Sequence, residues 1–206
     1  MFISFEGAEC CGKTTQINIL ALKLRESGYE VITTREPGGT AFGEDCRNIL
    51  KHTTNSICPE AELLLMNASR AQLVRDVIRP ALEANMTVIC DRYFDSTTAY
   101  QQFGRKLDGK MVSEVIRCAV GSTVPDITFL LEASEEYVSA RMRASRGQSL
   151  HDRFEAEGRE FFDRVNAGFK TLAEHNPRFR VINADLPIAM VADQIWAHLE
   201  KSFDRS

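Results

Sequence analysis

Nowhere in the 206 residues do apolar side chains run together for the roughly 18 positions that a membrane-crossing helix needs, and the N-terminus opens on Met1-Phe2-Ile3-Ser4-Phe5 without the basic and apolar regions of a secretory signal. The chain is therefore expected to stay off the membrane, in a cytoplasm-like compartment. An excess of charge is missing too. The 25 lysines and arginines against 29 aspartates and glutamates leave a net charge of −4 with no basic tail, which disfavours a nucleic-acid partner. The six cysteines (Cys10, Cys11, Cys46, Cys58, Cys90 and Cys118) form no CxxC pair and no His/Cys spacing suited to zinc, so reduced thiols are expected. Cys90 lies in a strand-like apolar run and Cys118 in a helix-like one, positions where cysteine is usually a small buried hydrophobe. The four histidines (His52, His151, His175 and His198) are scattered, and no Ser-His-Asp or Cys-His constellation is apparent. Internal repeats and low-complexity linkers are absent, and the length suits one α/β domain over residues 1–206.

What is present begins at residue 7. Gly7-Ala8-Glu9-Cys10-Cys11-Gly12-Lys13-Thr14-Thr15 completes the phosphate-loop pattern between the apolar run Phe2–Phe5 and a helical stretch. Small residues there let backbone N–H groups turn inward around phosphate oxygens at a helix N-terminus whose dipole favours negative charge. Lys13 adds a point charge for the β- and γ-phosphates, and the Thr14 hydroxyl suits Mg²⁺. Further apolar runs at Val31–Thr34, Thr87–Cys90, Ile127–Leu131 and Arg180–Ile182 alternate with helical patterning at about 13–27, 41–51, 59–84, 96–103, 111–121, 134–146, 158–175 and 187–202. Five strands interleaved with helices imply a parallel sheet covered on both faces, and Pro80 predicts a kink in the long third helix.

Ligands of open parallel sheets bind beyond the carboxyl ends of the strands, and here those ends are chemically pointed. The second run leads into Arg35-Glu36-Pro37-Gly38-Gly39-Thr40, a turn able to bring backbone close to a ligand and to carry a cis Glu36–Pro37 bond. The third ends on Asp91-Arg92-Tyr93, with Asp91 placed as phosphate-loop enzymes place the carboxylate that orients Mg²⁺ or its waters. Beyond the fourth lie Arg141, Arg143, Arg146 and Arg153, with Gly147, Gln148 and Ser149 between the last two, the composition of a basic flap over transferring phosphates. On the long helix Met66 and Arg70, four residues apart, share a face that suits a flat base, while Leu64, Leu65, Ala68 and Val74 are assigned mostly to the core side.

Together these motifs resemble the thymidylate kinase family along the whole chain. The carriers are Phe5-Glu6-Gly7 with Gly12-Lys13-Thr14-Thr15-Gln16, Thr34-Arg35-Glu36-Pro37-Gly38-Gly39-Thr40, Glu62-Leu63-Leu64-Leu65 with Arg70, Asp91-Arg92-Tyr93-Phe94-Asp95-Ser96 with Ala99-Tyr100-Gln101, and Asp152-Arg153-Phe154-Glu155. The resemblance implies a P-loop kinase fold with a five-stranded parallel sheet, helices on both faces and a short lid at about 143–157, and transfer of a phosphoryl group from ATP to dTMP with Mg²⁺. It implies a homodimer as well. The loop from Gly7 through Ala8, Glu9, Cys10, Cys11, Gly12, Lys13 and Thr14 to Thr15 would bind ATP with Arg141, and Thr14 and Asp91 would serve the metal. Glu9 would lie near the deoxyribose 3′-hydroxyl, Arg70 and Gln101 on the thymine edge, Tyr100 against the 2′ position, and Arg47 and Arg92 near the monophosphate. Pro37, Met66, Ser96 and Thr97 would complete that substrate pocket. Catalysis would fall to Lys13, Asp91, Arg92, Arg146 and Arg153. Arginines in the lid, with Cys10 where a loop arginine would stand, resemble the bacterial group of the family. Met66 replaces the usual phenylalanine under thymine, Cys10 and Cys11 replace the usual small loop residues, and Thr97 replaces a common serine.

A phosphate monoester, with its second pKa near about 6, arrives largely dianionic and is its own nucleophile, so such an enzyme needs cations and backbone donors but no general base. Two other readings fit the phosphate loop: a kinase for another nucleotide or for a nucleoside, and a nucleotide-binding module without turnover. The second finds no Asn-Lys-x-Asp guanine signature and no Asp-x-x-Gly switch.

Overall fold

In the computed structural model, which describes residues 1–145, 153–154 and 157–203, all five apolar runs are parallel strands of one sheet. These are β1 (Phe2–Gly7), β2 (Val31–Arg35), β3 (Thr87–Asp91), β4 (Ile127–Glu132) and β5 (Phe179–Asn183), in the order β2-β3-β1-β4-β5. β1 is central and wholly buried, with Phe5 opposite Asp91 on one side and Gly7 opposite Leu131 on the other. The phosphate loop therefore leaves the middle of the sheet, directly beside the end of β3.

The two-residue repeat of a strand divides β1 between the layers. Ile3 and Phe5 join Phe129, Leu131 and Ile89 under the helices α1 (Lys13–Glu26) and α9 (Ile188–Phe203). Phe2 faces the other layer, where Val88 and Cys90 pack under α3 (Pro59–Leu73) and α6 (Gly109–Val120). The remaining side chains of that face are polar: Ser4 shares a 2.7 Å hydrogen bond with Thr128, and Glu6 lies closer to the site. A third cluster gathers Tyr100, Leu130, Phe154, Phe161 and Phe169 around α8 (Arg159–His175).

The predicted helices appear with small changes of boundary. Thr40 caps α2 (Ala41–His52) by accepting from the Gly43 N–H, and Asp108 caps α6 by accepting from Met111. At the kink expected at Pro80 the helix passes through a π-helical turn, Val74–Ile78, between α3 and α4 (Arg79–Glu83). Proline has no N–H to close the regular turn, so the wider one precedes it. A second π-helical stretch, Thr98–Gly104, continues α5 (Phe94–Thr97), and α7 (Glu135–Ser145) follows β4.

Two expectations are corrected. Leu64 is 58% exposed and Ala68 also faces outward, while the buried side of α3 carries Glu62, Leu63, Asn67, Ser69 and Arg70. Helical periodicity reports an apolar stripe, but here the inward stripe is polar because it builds a site. Cys118 is likewise exposed, whereas Cys90 is buried as expected. No helix among the described residues is long and apolar enough to cross a membrane.

Candidate active site

Gly7 ends β1 at φ +131°, and a Cβ there would lie 2.4 Å from the Leu131 carbonyl oxygen, so only glycine lets the chain turn out of the sheet at this point. The loop closes on Gly12, which precedes α1 in the left-handed region. Inside the loop Lys13 folds back, its Nζ donating to the Ala8 carbonyl at 2.7 Å and the Gly7 carbonyl at 3.3 Å. The two loop cysteines part company: Cys10 takes φ +59° and lines the cleft, whereas Cys11 is 2% exposed within the core. Alkylation with iodoacetamide should therefore modify Cys58, Cys118 and Cys10 and spare Cys11, Cys46 and Cys90, with a bound nucleotide protecting Cys10 alone. Peptide mass mapping checks this, and nucleotide-independent labelling of Cys10 would contradict its position in the cleft.

Above the loop opens a cleft of about 630 Å³. It is lined on the loop side by Glu9, Gly12, Lys13, Thr14, Thr15 and Arg141, and opposite them by Pro37, Arg47, Met66, Arg70, Ser96, Thr97, Tyr100 and Gln101. Asp91 and Arg92 lie between the two groups. Thr14 Oγ1 donates to Asp91 Oδ2 at 3.0 Å, which brings together two side-chain oxygens from α1 and β3. Mg²⁺ is typically held by one or two such protein oxygens plus substrate phosphates and waters, so the pair fits that ion. Among the described residues no group of three acidic, His or Cys side chains offers an all-protein metal site.

Arg92 stands at φ +67°, donates to Ser96 Oγ at 3.1 Å and lies over the Tyr100 ring at 5.3 Å. Burial disfavours its charge, but Tyr100, Glu9, Glu6 and Asp91 around it outweigh that and hold it protonated. Beneath it Glu6 accepts from the Tyr93 N–H at 2.8 Å and from the Ser96 hydroxyl at 2.5 Å. Burial, reinforced by nearby Asp95, pushes the Glu6 carboxyl up from 4.5 to about 7 against the pull of Arg92, Ser96 and Tyr93. A native pKa above the unfolded one means that protonated Glu6 adds stability that is complete below about pH 4.5 and lost as pH rises through about 7. The Tm of the protein should thus fall relative to that of Glu6→Gln across this window, and a pH-independent difference would show that Glu6 stays ionised.

Arg70 is 2% exposed and makes four hydrogen bonds and an ion pair inside the protein. Nε donates to Glu36 Oε2 at 2.7 Å, Nη1 to Asn67 Oδ1 at 2.7 Å and Thr97 Oγ1 at 2.9 Å, and Nη2 to the Tyr93 carbonyl at 3.3 Å, with Glu36 Oε2 2.6 Å away. Burial raises the Glu36 carboxyl and Arg70 opposes the rise; Glu36 Oε1 has no hydrogen-bond partner among the described residues. The Glu36–Pro37 bond is cis, and the Gly38 N–H behind it donates to Ser69 at 3.1 Å. Arg47 reaches the Pro37 carbonyl at 2.9 Å from α2.

Not every expected residue comes to the cleft. Gly7, Ala8 and Cys11 shape the loop without lining the space. Arg153 does not line the cleft either: it donates to the Leu50 carbonyl at 3.0 Å and to buried Glu62. Arg146 and most of the expected lid, 143–157, lie outside the described residues. Arg141 abuts Gly12 and donates to the Tyr137 hydroxyl at 2.7 Å. Conversely Arg35, Glu36, Lys51, Tyr93 and Phe154 line the cleft without having been assigned to it. Arg35, Glu36 and Tyr93 stand at strand ends, where position alone could have flagged them; Lys51 and Phe154 arrive only by packing.

The family model described as thymidylate kinase matches residues 5–195. Among similar proteins, the thymidylate kinase of Thermomicrobium roseum is 46% identical over 205 residues, covering 99% of this chain and 96% of its own. That of Geobacter sulfurreducens is 47% identical over 189 residues, 89% of each. The crystal structure of the Ehrlichia chaffeensis thymidylate kinase superposes with a TM-score of 0.79 at 33% identity, over 97% of this chain and 98% of that one. A likeness running from the first strand into the last helix, at this level of identity and with the same fold throughout, means that the chain belongs to the thymidylate kinase family.

Proposed function

We propose that this protein transfers the γ-phosphoryl group of ATP to dTMP, giving dTDP and ADP. The observation that carries the reading is a single cleft with a phosphate loop on one side and, facing it, Arg47 and Arg92 beside a base-sized pocket of Met66, Arg70 and Gln101. A donor and an acceptor phosphate meeting there would be in line between Lys13 and Arg92. The dTMP phosphate attacks as its own nucleophile, so what these residues supply is alignment and cancellation of charge. Lys13, on leaving the Ala8 carbonyl, would follow the transferring group; Arg92, kept charged and aimed by Ser96, would hold the acceptor. Glu9 is assigned to the 3′-hydroxyl and Tyr100 to the 2′ position of the sugar. Thr14 and Asp91 would hold Mg²⁺, which supplies charge neutralisation between the phosphates. Arg141, beside Gly12, is assigned to ATP, and Arg146 to a lid of about 143–157 within a single 1–206 domain. Arg153 would join them only by leaving Glu62.

Phe42, Ile49 and Leu64 are 48%, 50% and 58% exposed on α2 and α3, which pack side by side, and we assign this apolar face to a homodimer. Monomeric sedimentation would overturn that assignment. We assign the enzyme to the cytoplasm, a reading that six free thiols and the use of ATP support. The reaction is tested by ADP release from Mg-ATP with dTMP, dUMP, dGMP, AMP and thymidine as separate acceptors in reducing buffer. A preference for dTMP supports it; silence with every acceptor despite ATP binding overturns it.

A further inference from the structure

We infer that Glu62 is a positioning residue for base selection: it fixes which end of the Gln101 amide faces the cleft, and so decides which pyrimidine is accepted. The inference rests on the dTMP reading above. Glu62 stands in the first turn of α3, is 0% exposed, and its four lone-pair positions are filled. Oε1 accepts from Gln101 Nε2 at 2.9 Å and from Arg105 Nε at 3.1 Å; Oε2 accepts from Arg105 Nη2 at 3.0 Å and from Arg153 Nη2 at 2.5 Å. Burial alone would push this carboxyl up, but Arg105, Gln101 and Arg153 hold it below the usual carboxylate range, so it is ionised and can only accept.

The orientation of a glutamine amide is set by its partners. Facing an ionised carboxylate, Gln101 has to present its NH₂ group, and the amide oxygen turns to the remaining side. That side is the cleft, which Gln101 lines while itself only 1% exposed. An acceptor oxygen at the base edge matches the ring N3–H of thymine and opposes cytosine, whose N3 is itself an acceptor. Glutamine could otherwise serve either base by flipping. Arg105 holds the carboxylate from behind, through its second pair with Glu157.

The test is Glu62→Gln, an isosteric change that lets the residue donate as well as accept and so frees Gln101 to flip. With Mg-ATP saturating, kcat/KM for dTMP should fall about tenfold, chiefly through KM, while that for dCMP falls less or rises, so that the dTMP:dCMP ratio narrows by about tenfold or more. A purely structural role would lower both substrates in parallel and leave the ratio unchanged, which would overturn the inference. In a Gln101→Met background, Glu62→Gln should change the ratio no further, and additive effects in this cycle would also overturn it. If Glu62→Gln does not fold, Gln101→Met decides alone: full retention of the wild-type ratio refutes the role of the amide, and its collapse supports it. Wild-type enzyme inactive with dTMP would instead defeat the underlying reading.

Discussion

Lys13→Ala should lower the rate of phosphoryl transfer by about a hundred- to a thousandfold, the usual cost of removing one preorganised donor from a charge-developing site. In the structure its ammonium is held by the Ala8 and Gly7 carbonyls inside the phosphate loop, the side of the cleft proposed for ATP. The loss should therefore appear in kcat, with dTMP affinity measured by calorimetry nearly unchanged. An equal loss of dTMP affinity would show that Lys13 organises the acceptor side and would contradict its assignment to the donor.

Arg70→Ala should damage both the acceptor site and the fold. Removing the guanidinium strands Glu36, whose other oxygen already has no partner among the described residues, together with Asn67 and Thr97 in a buried setting. Breaking such a buried pair from one side typically costs about 3–5 kcal/mol, which for a chain of this size corresponds to a fall in Tm of about 6–20 °C. Because the same side chain lines the part of the cleft proposed for the base, KM for dTMP should rise far more than KM for ATP. A drop in Tm with both KM values shifted alike would limit Arg70 to a structural role. Four hydrogen bonds already tie the guanidinium to the protein, one of them to Thr97, itself part of the cleft wall.

Much of this was legible in the chain before folding. The five strands announce themselves because each is a short apolar run, wholly buried in β1 and nearly so in β3 and β4, and the phosphate loop because its glycines and Lys13 serve local geometry. Asp91, Arg92 and the Arg35–Thr40 turn are readable as site residues because strand ends in parallel sheets face one rim. Met66 and Arg70 were readable as one helix face from their spacing of four residues, whereas Gln101 came from the family likeness.

What local pattern could not decide is how the polar residues pair. Helical spacing assigned Leu64 and Ala68 to the core and overlooked Glu62, because it counts apolar side chains and is blind to a carboxylate buried among arginines. Whether such a group is tolerated inside depends on Gln101, Arg105 and Arg153, which lie 39, 43 and 91 residues away. Arg153 likewise looked like a free lid cation until tertiary packing brought it to Glu62 and the end of α2. The sequence by itself therefore determined the sheet, the phosphate loop and the chemistry of the rim, all set by neighbours in the chain. Only the tertiary structure decided which charges are neutralised and which face the cleft, because the free energy of a buried charge lies in partners that the fold alone brings together.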